Sequence, residues 1–315
     1  MKIAFLGLGG VGGYFGAKFA RQYNNPSPYH LANGIAEIVF LAREKTAAAI
    51  RENGIQLITP EEEFTAYPHE VLTPSDEMSP VDYLFVSVKS YDLESSLNQF
   101  RNCIAPETAI IPLLNGVDAE DRIRVLFPQN DVWSGCAYIV ARITAPGVIT
   151  KTGAIHDLYF GSKHGDSDDQ HHLFELIQEA HDEVHLAEGQ SISKVLWEKF
   201  IFISPLASLT SYLDVCIGKI LDNEDNTALL NSLLSEICAV ARAEKIAVAE
   251  DIIAVTLAKM KKLPYEATSS MHRDFQAGNA TEHDSLTGYV TKLARKHGIG
   301  TPQYDRVLEG LNSRQ

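Results

Sequence analysis

The sequence has few cysteines, a deficit of cations and no long apolar run, and each shortage excludes a class of protein. The four cysteines are Cys103, Cys136, Cys216 and Cys238. They are far apart and include no CxxC pair, which indicates reduced thiols and a cytoplasmic protein. The net charge of −14 argues against a nucleic-acid or anionic-membrane partner. No segment approaches the roughly 20 apolar residues of a membrane helix, and the apolar start is too short for a secretion signal.

A chain of 315 residues, 45% of them apolar, is long enough for two domains with separate cores. In the first part, short apolar strands alternate with helical patterns, which predicts a doubly wound parallel sheet. The predicted strands are 2–8, 36–42, 83–88 and 109–114, and the predicted helices are 11–23, 44–53 and a segment near 92–101. Strand-like segments at 132–143 and 156–162 complete this half, and the polar segment 163–172 is a predicted surface loop.

From about residue 187 onward the pattern changes to helical spacing with almost no strand signal. The sequence therefore predicts an α/β protein in which residues 1–186 form the parallel-sheet domain and residues 187–315 form an all-helical domain.

Gly7, Gly9 and Gly12 form a GxGxxG motif directly after the first predicted strand and at the start of the first predicted helix. Gly7 permits a tight turn, Gly9 lets the backbone approach a pyrophosphate, and Gly12 allows close packing of helix and strand. The first N–H groups of the helix can bond phosphate oxygens. A glycine motif also occurs in flexible loops, but its position between strand and helix favours dinucleotide binding.

Arg43 follows the second predicted strand, where an NAD-selective site usually has Asp or Glu. A guanidinium there can bind a 2′-phosphate, and a charge-assisted hydrogen bond contributes roughly 1.5–3 kcal/mol. The position predicts NADPH rather than NADH. The alternative is a solvated arginine that caps the next helix, with its charge neutralised by Glu44.

Lys89 and Asn115 each follow a predicted strand, and open α/β sheets bind ligands at the carboxyl ends of their strands. Both are therefore candidate ligand contacts. The alternatives are a loop cation for Lys89 and a simple turn for Asn115 and Gly116.

Five segments of the sequence resemble, in their order along nearly the whole chain, the ketopantoate reductase (2-dehydropantoate 2-reductase) family. They are GLGGVGGYFG, VKSYD, LLNGVD, WEKF and SSMHRDFQAGNATEHD, of which the last is the most specific. Members of that family are NADPH-dependent reductases of a 2-oxo acid, with a Rossmann domain and a helical domain that close over a cleft. The resemblance implies the same fold, cofactor and type of reaction here.

The resemblance also implies roles for individual residues. The implied cofactor contacts are Gly7, Leu8, Gly9, Gly10, Val11, Gly12, Arg43, Lys89, Asn115 and Ala141. The implied proton donor is Lys199, with Glu282 as a second catalytic residue. The implied substrate contacts are Asn115, Lys199, Ser270 and Glu282.

Lys199 is followed by the uncharged run FIFISPLAS, which otherwise resembles buried core. Ketone reduction by hydride leaves negative charge on the oxygen, so a positioned acid must deliver a proton. A lysine held on a packed helix can stabilise the alkoxide and donate that proton, and Glu282 can orient the ammonium if it lies at the same site. The alternative is a lysine that extends from the helix to water.

Ile203, Ala207 and Ile217 replace asparagines that the family usually carries. Residues 199, 203 and 207 share one helical face, so the wall beside Lys199 is apolar. Without amides there, polar groups of ketopantoate remain under-satisfied at a cost of about 1–3 kcal/mol each. The leading substrate is therefore ketopantoate, and the alternative is a less polar 2-oxo acid. Ser204 and Ser208 lie one residue beyond two of the missing amides and could replace them after a small helix rotation.

His181 and His185 are spaced as one helical turn, but no third metal ligand follows at usable spacing, so a solvated helix face and no metal site are predicted. Hydrolase, Walker and zincin motifs are absent from the sequence.

A non-catalytic NADPH-binding protein is a third hypothesis. The joint presence of Lys199, Ser270 and Glu282 argues against it. Apolar faces of the helical half could form a homodimer or pack on the first domain.

Overall fold

The computed structural model of the protein describes residues 1–24, 37–163 and 168–314. The chain forms two compact units. The first contains Met1–Leu114 and Ala119–Ile192, and the second contains Asn115–Asp118 and Ser193–Gln315. The sequence places the domain boundary between residues 186 and 187, whereas the change of unit in the structure falls inside the long helix that begins at Gln190.

The first unit contains ten strands and five α-helices among its described residues. The strands are β1 Lys2–Leu6, β2 Glu37–Leu41, β3 Ile55–Ile58, β4 Glu63–Ala66, β5 Glu70–Leu72, β6 Tyr83–Val86, β7 Ala109–Pro112, β8 Ser134–Ala145, β9 Val148–Gly161 and β10 Val184–Leu186. The helices are α1 Gly10–Asn24, α2 Glu44–Asn53, α3 Leu93–Gln99, α4 Ala119–Leu126 and α5 Asp168–Ile177.

Five of these strands form one parallel sheet in the order β5-β2-β1-β6-β7. All four residues of β6 and of β7 are buried, and so are four of the five residues of β1. A parallel strand that is covered on both faces has a continuous apolar run, which explains why these strands could be predicted. The predicted doubly wound sheet is confirmed.

Alternate residues of the central strands fill two separate cores. Phe5, Phe40 and Phe85 point to one face, where Phe5 packs against Phe19 of α1 with ring centroids 5.3 Å apart. The next residues along the strands, such as Leu6, pack on the opposite face with α3 and α4. This alternation places helices on both faces of the sheet, as expected when each crossover helix must bury its apolar side.

The remaining strands form a second sheet, which the sequence pattern did not separate from the first. β8 and β9 are an antiparallel hairpin, and β9 also pairs in parallel with β3 near Val148 and with β10 near Leu158. β9 begins at Val148, eight residues before the predicted start. Its four middle residues 152–155 are exposed, so the apolar pattern that reveals a strand is interrupted there.

The structure corrects two further predictions in the first unit. The predicted loop 163–172 is wrong from Asp168 onward, where α5 begins, while residues 164–167 lie outside the described residues. Ala36 of the predicted strand 36–42 also lies outside them. The helix face predicted for His181 and His185 is wrong as well, because His181 is buried after α5 and His185 lies in β10.

The second unit contains seven α-helices and no strand among its described residues, which confirms the predicted all-helical half. They are α6 Gln190–Leu213, α7 Ile217–Leu221, α8 Glu224–Ala243, α9 Ile252–Lys261, α10 Ser270–Gln276, α11 Tyr289–Lys296 and α12 Pro302–Asn312. A π-helical turn, Asp284–Gly288, precedes α11. Among the described residues, no helix combines the length and apolar character that crossing a membrane requires.

Glu120 of α4 is a buried carboxylate that connects three segments of the first unit. Lys163 Nζ lies 2.8 Å from its carboxylate, and Ser134 Oγ donates a hydrogen bond to it at 2.6 Å. Burial opposes ionisation of Glu120, but the charge of Lys163, the hydrogen bonds from Lys163 and Ser134, and the charge of Arg124 outweigh this effect and lower its pKa. The carboxylate is therefore charged and satisfied in the folded unit.

Replacing Glu120→Gln should lower the free energy of unfolding at pH 7 by about 1–3 kcal/mol, because charge-assisted hydrogen bonds are lost in a buried site. The folded-state pKa lies below the reference value of 4.5, so the stabilisation is complete above pH 4.5 and declines as the pH falls through the folded pKa. Denaturant unfolding at several pH values measures this difference. The exposed Glu107→Gln variant is the control, and equal stability of Glu120→Gln and wild type at pH 7 would contradict the prediction.

Candidate active site

The glycine loop between β1 and α1 is shaped by close contacts that only glycine permits. Gly7 has a φ of 90°, in the left-handed region, and makes the turn out of β1. A Cβ on Gly12 would lie 2.0 Å from Ser87 Oγ, so α1 and the end of β6 can approach this closely only without that side chain. A Cβ on Gly9, by contrast, would meet no atom within 4 Å. The backbone at Gly9 is therefore open to a ligand.

The N-terminus of α1 suits an anion. Its first main-chain helical bond runs from the Gly13 N–H to the Gly9 carbonyl at 2.8 Å, so the N–H groups of Gly10, Val11 and Gly12 precede it. The first turn contains no acidic residue. The helix dipole and these N–H groups together attract phosphate oxygens. The predicted contact Leu8 is only 7% exposed, and its side chain packs in the core.

Ala141 lies beside the glycine loop, although it is far from it in sequence. A Cβ on Gly10 would lie 2.1 Å from the Ala141 carbonyl oxygen, which places the β8 backbone against the loop. Ala141 itself is half-buried. The structure thus brings this predicted cofactor residue to the loop.

Arg43 follows β2 and forms an ion pair that its sequence context did not indicate. Its guanidinium lies 2.5 Å from Oδ2 of Asp92, and its side chain is 71% exposed. Glu44, the neighbour expected to neutralise it, accepts a hydrogen bond from Ser75 instead. Asp92 belongs to a short 3₁₀ turn after β6, and β2 and β6 are the two strands that flank β1. The Arg43–Asp92 pair therefore connects the segments on either side of the glycine-loop strand.

Lys89 is half-buried and precedes the same 3₁₀ turn, Ser90–Asp92. Its carbonyl accepts the Asp92 N–H at 2.9 Å, so Lys89 and Asp92 are held in one rigid turn. The pairing of Asp92 with Arg43 was not predicted from the sequence, although Asp92 stands in the VKSYD segment only three positions after Lys89.

Asn115, the other strand-end candidate, belongs to the helical unit together with the three residues after it. Gly116 has a φ of 99° and turns the chain. Asp118 accepts a hydrogen bond from Ser285 Oγ at 3.0 Å, which attaches this short segment to the π-helical turn. Asn115 is half-buried at the start of the attached segment.

Lys199 is half-buried in the N-terminal half of α6, and Glu282 is 4% exposed just before the π-helical turn. Two buried hydroxyl contacts join α6 to this turn. Ser204 Oγ donates to the Leu286 carbonyl at 2.6 Å, and Ser208 Oγ lies 2.7 Å from Thr287 Oγ1. The segments that carry Lys199, Glu282 and Asn115 are thus connected by hydrogen bonds within one unit.

Ser270 lies beside a different part of α6. The preceding residue, Ser269, caps α10 by accepting the His272 N–H, and its Oγ lies 3.0 Å from Thr210 Oγ1. Thr210 is about 16 Å of helix rise beyond Lys199. Ser270 therefore lies near the C-terminal part of α6, whereas Lys199 is in its N-terminal part.

The structure rejects the substitution of the missing amides by serines. Ser204 and Ser208 are both fully buried, and their hydroxyls are engaged inside the unit as described above. Ile203 is partly buried, while Ala207 and Ile217 are each 1% exposed. The face of α6 that carries Lys199 is consequently apolar at the positions one and two turns further along.

The helical unit contains a buried histidine whose pairing with a carboxylate was not predicted from the sequence. His272 is 3% exposed, and its Nε2 lies 2.7 Å from Oδ1 of Asp214. The hydrogen bond from His272 is the main cause of a lowered pKa at Asp214. The two residues are 58 positions apart, so no local sequence signal could have paired them.

Comparison with known proteins identifies the family. The family described as "Ketopantoate reductase PanE/ApbA" matches residues 3–165, and "Ketopantoate reductase PanE/ApbA C terminal" matches residues 191–315. Together these matches cover parts of both units and all of the predicted site residues.

Individual relatives align over the full length of the chain. The crystal structure of a 2-dehydropantoate 2-reductase from Porphyromonas gingivalis W83 has 34% identity and a TM-score of 0.82, and the alignment covers 99% of both chains. An uncharacterised oxidoreductase of Bacillus subtilis is 27% identical over 99% of this chain and 98% of its own length. A 2-dehydropantoate 2-reductase of Streptococcus pyogenes is 24% identical over 100% of this chain and 98% of its own.

Because the two family matches cover most of the chain and the 34% identical structure covers 99% of it, the protein belongs to the ketopantoate reductase family, whose members are NADP-dependent oxidoreductases acting on CH–OH groups.

Proposed function

We propose that this protein reduces a 2-oxo acid to a 2-hydroxy acid with NADPH, and that the leading reaction is 2-dehydropantoate to pantoate in pantothenate biosynthesis. Family membership supports the type of reaction. The observation that supports the residue roles best is the hydrogen-bonded connection, within one unit, of the segments that carry Lys199, Glu282 and Asn115.

The cofactor side of the proposal rests on the first unit. The open backbone at Gly9 and the helix N-terminus without acidic residues suit a pyrophosphate. Arg43 and Lys89 follow the two strands that flank β1 and would hold the adenosine end of NADPH. Ala141 would contact the cofactor through the backbone that lies against Gly10.

Bound NADPH supplies a hydride, and the protein must supply the proton. We assign the proton to Lys199, whose ammonium would bond the substrate carbonyl oxygen and donate to it as negative charge develops there. Glu282 would orient this ammonium or the product hydroxyl. Asn115 would bind polar groups of the substrate, and Ser270, which lies toward the C-terminal part of α6, would bind the substrate at the end away from the reacting carbonyl. The new C–H bond comes from the hydride and the new O–H bond from Lys199, which a solvent proton then restores.

A less polar 2-oxo acid is the second candidate substrate. It is favoured by Ile203, which leaves the wall one turn from Lys199 without an amide, and by the engaged hydroxyls of Ser204 and Ser208. Hydrogen-bonding groups of ketopantoate would find fewer partners at such a wall.

The proposal also includes a location and an assembly state. All four cysteines are free and buried, which supports the proposed cytoplasmic location. A homodimer stays a prediction for the helical unit.

The Lys199→Ala variant should lose about 10²- to 10⁴-fold in kcat, which is the usual contribution of a general acid. Its Kd for NADPH should stay as in wild type, because the glycine loop belongs to the other unit. Steady-state kinetics and fluorescence titration measure the two quantities. Lys194→Ala on the same helix is the control, since Lys194 is exposed and pairs with Glu198 at 3.8 Å. Equal turnover of the two variants would remove Lys199 from the mechanism.

Two substitutions at the Arg43–Asp92 pair should change NADPH affinity in opposite directions. Arg43→Ala should weaken NADPH relative to NADH, because the 2′-phosphate loses its cation. Asp92→Asn should strengthen NADPH binding severalfold, because the 2′-phosphate then has no carboxylate competing with it for Arg43 and none repelling it. Dissociation constants for both cofactors give the test, with the exposed Lys45→Ala as the control. An unchanged preference in Arg43→Ala would refute the phosphate assignment.

The identity of the substrate is tested with two acids, ketopantoate and 3,3-dimethyl-2-oxobutanoate. The second acid differs from ketopantoate only in lacking the hydroxyl group. The ratio of kcat/KM values for the two acids should exceed one if ketopantoate is the substrate and fall below one if the less polar acid is. Ile203→Asn should raise this ratio by about 2- to 10-fold, since one added hydrogen bond contributes roughly 0.5–1.5 kcal/mol. Val255→Asn, at an exposed position of α9, should leave the ratio unchanged.

A further inference from the structure

We propose that His156, His181 and Asp182 form a binding site for a transition-metal ion such as Zn²⁺ in the first unit. One ring nitrogen of each histidine and one carboxylate oxygen of Asp182 lie within 4.8 Å of one another. The three residues belong to β9 and to the segment between α5 and β10, and none of them has a role in the proposed reduction.

The hydrogen bonds of the two imidazoles prepare them as ligands. His181 Nε2 lies 2.6 Å from the His156 carbonyl oxygen, and His156 Nδ1 lies 2.6 Å from the Ala154 carbonyl oxygen. A carbonyl oxygen only accepts, so each of these nitrogens carries the proton, and the lone pair stands on His181 Nδ1 and His156 Nε2. Metal-bound histidines almost always donate their other N–H in this way to a carbonyl or carboxylate.

The distances require little movement on binding. Nε2 of His156 lies 3.8 Å from Oδ1 of Asp182. Ligand atoms about 2.0–2.1 Å from a tetrahedral zinc ion are about 3.4 Å apart, so a contraction of roughly 1.4 Å at most from the 4.8 Å limit completes the site. The side chain of Asp182 is 88% exposed and free to make that movement, and the side chain of His156 is 26% exposed.

His181 provides a rigid anchor. It is 3% exposed, and the rings of Tyr14 and Phe15 from α1 lie edge-on to it at 5.8 and 5.1 Å. Burial is the main cause that lowers the pKa of His181 to about 4, so the ring is neutral at pH 7. A neutral imidazole has a lone pair that can bind a metal ion, and its close packing holds the ring in place.

The ligand set decides the class of ion. Two imidazoles and one carboxylate favour zinc, cobalt or nickel over magnesium or calcium, which prefer oxygen ligands. Three protein ligands leave further positions for water on the exposed side of Asp182. The ion would connect β9 to the chain after α5, which stabilises the edge of the second sheet.

A neighbouring cluster supplies the contrast. Asp157, Glu183 and His185 also lie close together, but His185 Nε2 is 3.1 Å from Oδ1 of Asp157. His185 and Asp157, two members of this cluster, are thus bonded to each other, and an ion could take both of these atoms only by breaking that bond. The His185 ring also stacks on Tyr159, with centroids 4.4 Å apart. His185 is therefore the matched control.

The test is calorimetric titration of the metal-free full-length protein with Zn²⁺, with Co²⁺ absorption spectra as a second readout. Wild type should bind one ion, His156→Ala and Asp182→Asn should bind it at least tenfold more weakly, and His185→Ala should bind it as wild type does. Zn²⁺ should also raise the thermal midpoint of wild type and His185→Ala more than that of Asp182→Asn.

Two outcomes overturn the proposal. One is the absence of saturable binding of one equivalent by wild type. The other is loss of binding in His185→Ala with retention in both His156→Ala and Asp182→Asn. Asp182 is exposed, so its conservative replacement keeps the test valid even if His156→Ala fails to fold.

Discussion

The buried hydrogen bonds between α6 and the π-helical turn fix the rotation of α6 about its own axis. Ser204 and Ser208 are bonded to residues 286 and 287, so rotation of the helix would break both bonds inside a dry core. An unsatisfied buried hydroxyl costs about 1–3 kcal/mol, so the rotation is strongly disfavoured. Lys199 and Ile203 therefore share the available face, and the polarity of the proposed site is set by residues outside the core.

At the surface of the first unit, Asp92 would compete with a cofactor phosphate for Arg43. Arg43 is a cation suited to a 2′-phosphate, and Asp92 already pairs with it. An exposed ion pair contributes only about 0–1 kcal/mol, so a phosphate can displace the carboxylate. The pair would thus reduce the preference for NADPH without abolishing it, and under the proposed function cofactor selectivity would depend on two residues from different strand ends rather than on Arg43 alone.

The second sheet of the first unit contributes to the site in one place and carries separate chemistry in another. β8 brings the Ala141 carbonyl against the glycine loop, while the middle of β9 brings His156 next to His181. Neither contact follows from the doubly wound sheet, because both depend on how a long hairpin pairs with β3 and β10. The sequence predicts no metal site, because His156 and His181 are far apart in the chain and are brought together only by this pairing.

The sequence by itself determined the parallel sheet, the glycine loop and the helical half, because continuous apolar strands, a GxGxxG turn and helical spacing are local patterns. It also identified the family and the candidate residues from Gly7 to Glu282. Tertiary structure alone decided the partner of Arg43, the burial of Ser204 and Ser208, the start of β9 at Val148 and the surroundings of His181. These features depend on contacts between residues that are far apart in the chain, and no local pattern of side chains encodes such a contact.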